Sequence, residues 1–218
     1  MQKTELRDIV ASAVALAIAF AVAFNGGITN IEKFSLNTVI IAFVAVSLSF
    51  ILHELAHRFL ARRYGCYAEY KMWPHGLMLA LFFSLFGFVF AAPGAVMIHP
   101  KADLWGASQA LTKKRMGLIA LVGPLTNVAL AGLFFAALMI APAAQAIPAQ
   151  AAEGSSLLGG LLLSEMFALA VSINVWLALF NMIPIAILDG AKVFYWNKKV
   201  WAITFIVMIA MFAATWIL

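Results

Sequence analysis

Two histidines and a glutamate lie close together in a strongly apolar stretch of this sequence. His53, Glu54 and His57 form the pattern H-E-x-x-H within residues 51–58. Residues four apart lie on one face of a helix, so the two imidazoles can bind one metal ion. Glu54 is then placed to act as general base on an attacking water, as in zinc hydrolases. The spacing therefore predicts a zinc-dependent hydrolase with His53 and His57 as metal ligands and Glu54 as the catalytic residue.

Zinc bound by two histidines needs a third protein ligand and an open position. The carboxylate candidates are Glu69, Asp103, Glu165 and Asp189. Asp189 is favoured because it follows a long apolar segment that, in the topology predicted below, ends on the same side of the membrane as His57. Pro184 ends that helix, and Gly190 permits an unusual turn that folds the carboxylate inward. His75 and His99 are further candidates, although an interfacial position suits both better.

The chain as a whole is too apolar for a soluble fold. Hydrophobic residues make up 65% and charged residues 11% of its 218 residues, with a mean hydropathy of +1.02. Soluble domains are about half apolar and a quarter charged. We therefore expect one domain, residues 1–218, embedded in a lipid bilayer, with its net charge of +5 mainly setting orientation. The one cysteine, Cys66, excludes a disulfide framework, and no motif indicates nucleic-acid binding.

Six apolar stretches are candidate membrane spans, although the first, with 16 residues, is short for one. They cover residues 9–24, 36–60, 76–98, 116–141, 157–183 and 200–218. The first is interpreted as a retained anchor, because no cleavage site for a signal peptide precedes Asn25. Residues 141–160 form a polar-leaning loop. The stretch 76–98 is unusual, since Gly87 breaks it and residues 91–95 are predicted to form a turn.

The basic residues predict how the stretch 76–98 lies in the membrane. Four precede it and four follow it: Arg58, Arg62, Arg63 and Lys71, then Lys101, Lys113, Lys114 and Arg115. Basic residues favour the cytoplasmic side, which both clusters reach only if the stretch enters and leaves on one side. We therefore predict an all-α polytopic membrane protein with five to six transmembrane segments and a re-entrant element, with a β-hairpin as one form of it. The N-terminus and the site would face the cytoplasm.

The motifs together resemble those of the site-2 protease family of intramembrane zinc metalloproteases. His53 to His57 matches its first motif, and Asn181-x-x-Pro184-x-x-x-Leu188-Asp189-Gly190 matches its second. Residues 123–127 (GPLTN) resemble the start of the span between them. The likeness covers a core of about residues 36–195. It implies that Asp189 is the third ligand of one zinc ion per chain, that Glu54 is the base and that the site faces the cytoplasm.

The resemblance also implies a substrate, namely a transmembrane helix of another membrane protein. Asn181 would contact it, and we include Asn127 as a weaker substrate-binding candidate. An unwound substrate could pair with the re-entrant stretch as an added strand, which would bring Pro93 and Gly94 close to it. The predicted activity is that of a metalloendopeptidase in regulated intramembrane proteolysis.

Two other classes of protein compete with the protease. The alternatives are an inactive scaffold of the same family and a metal or ion transporter. The complete set of site residues argues against the scaffold, and the lack of paired halves argues against the transporter. The substrate, the activating signal, the oligomeric state and a bacterial or archaeal source stay open.

Overall fold

A computed structural model describes residues 3–29, 36–100, 111–145, 155–185 and 187–215 of the chain. Within these ranges the chain forms seven helices and two strands. In chain order they are α1 (Lys3–Phe24), α2 (Leu36–Arg63), β1 (Cys66–Met72), α3 (Pro74–Ser84), β2 (Gly94–Pro100), α4 (Lys113–Gln145), α5 (Ser155–Asn181), α6 (Asp189–Trp196) and α7 (Lys198–Ala214). The predicted helical class is confirmed, with a small sheet added.

Four of the described helices are long and apolar enough to cross a membrane. They are Thr4–Phe24, Val39–Arg63, Lys113–Ile140 and Leu163–Asn181, and each overlaps a stretch predicted from the sequence. Helix α7 covers most of the sixth stretch, but its 17 described residues fall short of the roughly 20 that a span needs. Four helices of spanning length are thus described, against the five to six segments expected.

The loop predicted at residues 141–160 is shorter than expected. Helix α4 continues to Gln145 and α5 begins at Ser155, so both ends of the predicted loop are helical. Alanine is the strongest helix former, and the alanines after residue 140 extend α4 by another turn. Residues 146–154 lie outside the described part of the chain, as do Lys101 and Asp103.

The stretch 76–98 is not a β-hairpin, although its last residues, 94–98, belong to a strand. Pro74 occupies the start of α3, where its missing N–H costs no hydrogen bond. Gly87 has a φ of 77° and completes a turn over residues 85–87. Residues 88–93 then return without regular structure, so the turn predicted at 91–95 is wrong. That segment leads directly into β2.

The partner of β2 comes from upstream of the predicted stretch. Strands β1 and β2 pair antiparallel, from Cys66 opposite Pro100 to Met72 opposite Gly94. Gly94 is required for this approach, because a Cβ there would overlap the Tyr70 side chain and the Lys71 carbonyl. Strand β1 was not predicted from the sequence. Its alternating burial is typical of a strand with one covered face.

The segment between the two strands runs along α1 and back. Near the start of α1, the Met72 N–H donates to Asp8 Oδ2 at 3.4 Å. Just past the end of α1, the Ile28 N–H donates to the Leu85 carbonyl at 2.9 Å. In residues 88–93, which run back toward β2, the Val89 carbonyl accepts from Trp176 Nε1 at 2.9 Å. The segment is therefore fastened at both ends of α1 and to α5.

The two clusters of buried apolar residues that bear on the site lie on either side of α5. One joins α1, α2, β1, α3, residues 89–92 and α5, with Leu16, Phe20 and Tyr70 fully buried. The other joins α4, α5, α6 and α7 around Met182 and Met208. Between these clusters lie buried polar side chains, among them both histidines of α2, Asn127, Asn174 and Asp189. The fold thus places its polar residues where four helices meet.

Candidate active site

Three side chains of the types that bind metal ions converge at the junction of α2 and α6. His53 Nε2 and His57 Nε2 are 2.9 Å apart. Asp189 Oδ2 lies 2.9 Å from His57 Nε2 and 3.4 Å from His53 Nε2. All three residues are buried. Among the described residues this is the one group of three or more His, Cys, Asp or Glu side chains arranged to bind a metal ion.

The second nitrogen of each imidazole is engaged by α4. His53 Nδ1 lies 2.5 Å from the Asn127 side-chain oxygen, and His57 Nδ1 lies 2.6 Å from the Ile119 carbonyl. Both partners are acceptors, so each Nδ1 carries the proton and each Nε2 presents a lone pair. Partners of this kind orient metal-binding histidines and raise their basicity.

Asn127 is itself held in orientation by α5. Its Nδ2 donates to Asn174 Oδ1 at 3.0 Å, and Asn174 Nδ2 donates to the Ala170 carbonyl at 2.8 Å. With the amide nitrogen of Asn127 engaged in this way, its oxygen is directed at His53. A chain of hydrogen bonds from the backbone of α5 therefore fixes the tautomer of His53.

The converging atoms fit a zinc ion. Two imidazole lone pairs and a carboxylate oxygen face one another within 3.4 Å in a buried site. Such a group of electron-rich atoms is repulsive unless a cation or a proton lies among them. Two histidines and one carboxylate form one of the ligand sets that bind catalytic zinc.

Asp189 reaches the histidines because the chain folds back sharply after α5. Helix α5 ends at Asn181, and Pro184 follows within the loop, as the sequence predicted. A Cβ at Gly190 would overlap the Met182 carbonyl, whose oxygen also accepts from Trp201 Nε1 at 2.8 Å. Gly190 is not among the residues with positive φ. It is therefore needed for close backbone packing, rather than for the unusual turn that the sequence suggested.

Lys192 orients the carboxylate from its other side. Its Nζ lies 3.0 Å from Asp189 Oδ1, which leaves Oδ2 directed at the histidines. The negative charge of Asp189 raises the pKa of Lys192 above its usual value, so the ammonium group stays charged. A role for Lys192 was not predicted from the sequence.

Gly123 lets α4 approach the two imidazoles closely. A Cβ at this position would lie 2.7 Å from His53 Nε2 and closer still to the His57 ring. In a helix, residue 123 also covers the carbonyl of residue 119, four positions earlier. Without a side chain at 123, the Ile119 carbonyl stays open to His57. The GPLTN segment was identified from the sequence, but the packing role of its glycine was not predicted.

A cavity adjoins the three converging side chains. Its wall includes Glu54, Asn181, Pro93 and Gly94, together with other residues of β2. Glu54 Oε2 is buried and has no hydrogen-bond partner among the described residues. Three of the four expected substrate-binding residues therefore line this cavity.

The remaining candidates lie elsewhere. Asn127 is fully buried behind His53 and is not part of the cavity wall. Glu69 accepts from the Tyr67 hydroxyl on β1 at 3.2 Å. His75, His99 and Glu165 are exposed, and Asp103 lies outside the described residues. None of the described ones belongs to the converging group.

Two buried histidines on a helix of membrane-spanning length, together with a buried aspartate on the short helix α6, are typical of a membrane metallopeptidase. The profile of peptidase family M50 matches residues 41–204. A Methanocaldococcus jannaschii protein named "Putative zinc metalloprotease" is 38% identical over 200 residues, which cover 91% of this chain and 87% of that protein. The chain therefore belongs to peptidase family M50, the site-2 protease family of membrane zinc metalloproteases, and the resemblance is confirmed. No solved structure matches it.

We expect Gly123→Ala to lower the zinc content of the purified protein, because its Cβ would displace both imidazoles. Overpacking of this kind also destabilises by about 1–3 kcal/mol. Gly132→Ala is the matched control, since Gly132 lies on the same helix with open space around it. Metal analysis and thermal unfolding in detergent measure both effects. Equal zinc content in the two variants would contradict the packing role of Gly123.

Proposed function

We propose that this chain is an intramembrane zinc metalloendopeptidase that hydrolyses a peptide bond in or near transmembrane helices of other membrane proteins. His53, His57 and Asp189 would bind one zinc ion per chain, and Glu54 would be the general base. One observation supports this most directly: Glu54, whose buried Oε2 has no hydrogen-bond partner among the described residues, lines the same cavity as His53, His57 and Asp189. A base needs such a position, within reach of both the metal and the substrate.

The residues divide the chemistry among them. Zinc, when bound, supplies a Lewis acid that polarises the scissile carbonyl and lowers the pKa of water. Glu54 takes a proton from the attacking water and delivers it to the leaving amine. Lys192 keeps Asp189 in place, and Asn127 keeps His53 in the tautomer that presents Nε2. Asn181, whose Nδ2 donates to Leu177 O at 2.9 Å, retains a second N–H for a substrate carbonyl.

The substrate would be bound as an added strand. The carbonyls of a helix are engaged in its own hydrogen bonds, so a transmembrane helix must unwind before it is cleaved. Strand β2 has one described partner, β1, and its other edge carries no strand among the described residues. Several residues of β2, including Gly94 and Val96, line the cavity beside Glu54. Pairing along this edge would hold an extended substrate next to the base.

We also propose that the site faces the cytoplasm and that residues 73–93 form a re-entrant element. In support, both ends of this segment lie near the start of α1, and its turn lies near the end of α1. Non-helical backbone at membrane depth is tolerated when it is covered by protein or lines a cavity. Exposed basic residues lie where α2 ends and α4 begins, as the positive-inside rule requires.

Glu54→Gln is expected to retain zinc and to lose cleavage, because the amide cannot accept the proton from water. Cleavage of a generic transmembrane-helix reporter by the detergent-purified protein, with metal content determined in parallel, measures both. We expect about one zinc per chain in each protein. Activity of the variant equal to that of the wild type would exclude Glu54 as the base. Zinc bound without cleavage by either protein would favour the inactive scaffold.

Asp189→Ala is expected to reduce zinc content, because it removes one of the three converging ligand atoms. Glu165→Ala is the matched control, since Glu165 is an exposed carboxylate on α5. Loss of a residue that only orients a metal ligand typically costs about 10–100-fold in metal affinity, so removal of a ligand itself should cost at least about 10-fold. Unchanged zinc content in the Asp189 variant, with competition from a chelator, would remove Asp189 from the ligand set.

Single cysteines at positions 71 and 113 are expected to react with an impermeant thiol reagent from the cytoplasmic side only. Lys71 and Lys113, the residues at these positions, are both exposed. The buried Cys66 is replaced by alanine in both variants, so that each has one cysteine. Labelling is compared in sealed vesicles of opposite orientation. If the two positions react from opposite sides, the intervening segment crosses the membrane, and the re-entrant element is excluded.

A further inference from the structure

An ion pair buried beside the proposed base connects α1 to the helix that carries it. Arg58 Nη1 lies 2.9 Å from Glu5 Oε1, and the two side chains are 12% and 3% exposed. Glu5 also accepts from the Tyr70 N–H of β1 at 3.3 Å. It lies outside residues 41–204, the part of the chain that the family profile matches. This contact therefore joins the first helix of the chain to the part that the family profile matches.

Arg58 lies on the same face of α2 as Glu54. The two residues are four positions apart, so their side chains project in nearly the same direction. Each carries a buried atom without a hydrogen-bond partner among the described residues: Arg58 Nε, a donor, and Glu54 Oε2, an acceptor. Buried polar groups are nearly always paired, so a matching donor and acceptor on one face need a common explanation.

A small cavity supplies that explanation. Glu54, Arg58, Glu5 and Tyr70 all line it, and Glu54 also lines the larger cavity next to the metal-binding side chains. The space open to the centre of a water-sized sphere is about 20 Å³. A buried water needs roughly 10–15 Å³ by this measure, together with two or more polar partners. The cavity meets both conditions.

We propose that Arg58, held in place by Glu5, is a positioning residue for Glu54, and that one buried water joins Arg58 Nε to the Glu54 carboxylate. The inference rests on the proposed function, because it assigns Glu54 the role of base. Arg58 has donors for both partners: Nη1 binds Glu5, while Nε–H remains for the water. Glu54 would thereby be restrained on one side while its carboxylate stays accessible from the catalytic cavity. Arg58 itself does not contact the substrate.

The decisive kinetic comparison uses variants that keep the buried charges balanced. Arg58→Gln alone leaves Glu5 buried and unpaired, which destabilises the fold, whereas Glu5→Gln with Arg58→Gln removes both charges together. For the folded, zinc-loaded double variant we expect kcat to fall about 10–100-fold on the transmembrane-helix reporter, with KM and zinc content unchanged. Arg58→Lys keeps the charge but lacks the planar pair of donors, so its kcat should be intermediate.

The matched control is Arg62→Gln, the same substitution four residues further along α2 at an exposed position. It should leave kcat and KM unchanged. The proposal is overturned if kcat of the double variant stays within about twofold of wild type. It is also overturned if the whole effect appears in KM, because the ion pair would then act through β1 and the substrate strand.

A second measurement does not depend on activity. A high-resolution experimental structure of the zinc-loaded wild-type chain should contain an ordered water within hydrogen-bonding distance of both Arg58 Nε and Glu54. A cavity without that water, or with either side chain turned away, would overturn the inference. If Glu54→Gln cleaves the reporter as wild type does, or wild type does not cleave it, the proposed function fails, and the water site is still decided by this structure.

Discussion

Polar groups inside an apolar helix bundle must find their partners within the protein, and this constraint organises the whole site. Both histidines of α2 are buried, and each uses its Nδ1 on an acceptor from α4. Unsatisfied groups of this kind cost several kcal/mol in a low-dielectric interior. The hydrogen bonds therefore do two things at once: they satisfy one nitrogen of each ring, and they leave the other nitrogen free for a metal. The position of α4 relative to α2 determines the site.

The sequence predicted the parts of the site that depend on local spacing. His53 and His57 are four residues apart, which on a helix places both side chains on one face. Ionisable residues in such an apolar segment indicate a function. Asp189 was identified because Pro184 ends α5 and directs the chain back. Hydrogen-bond partners that act through backbone atoms could not be predicted from spacing. Every residue has a backbone carbonyl, so the residue type at position 119 does not reveal the bond to His57. Its signal was indirect, in the glycine four residues later.

The errors in the fold have a shared physical origin, which is long-range pairing. Pro93 and Gly94 are typical turn residues, yet they lead into β2, because Gly94 must pass close to the Tyr70 side chain. Strand β1 was overlooked because its partner lies 22 residues further along the chain or more. The alternation of apolar and charged residues from Ala68 to Met72 was a usable signal in the sequence. Helix spans were easier to predict, because each satisfies its own backbone.

Contacts within the protein hold the candidate site from several sides. Hydrogen bonds with α4 orient both histidines, and Lys192 pairs with Asp189. Gly190 packs closely against the Met182 carbonyl, and Trp176 binds the segment before β2. The free edge of β2 is the one part of this described framework that still offers backbone groups to a partner. Backbone hydrogen bonds between strands depend on an extended conformation and not on side-chain identity. Discrimination among substrates would therefore rest on how readily a helix unwinds beside the cavity.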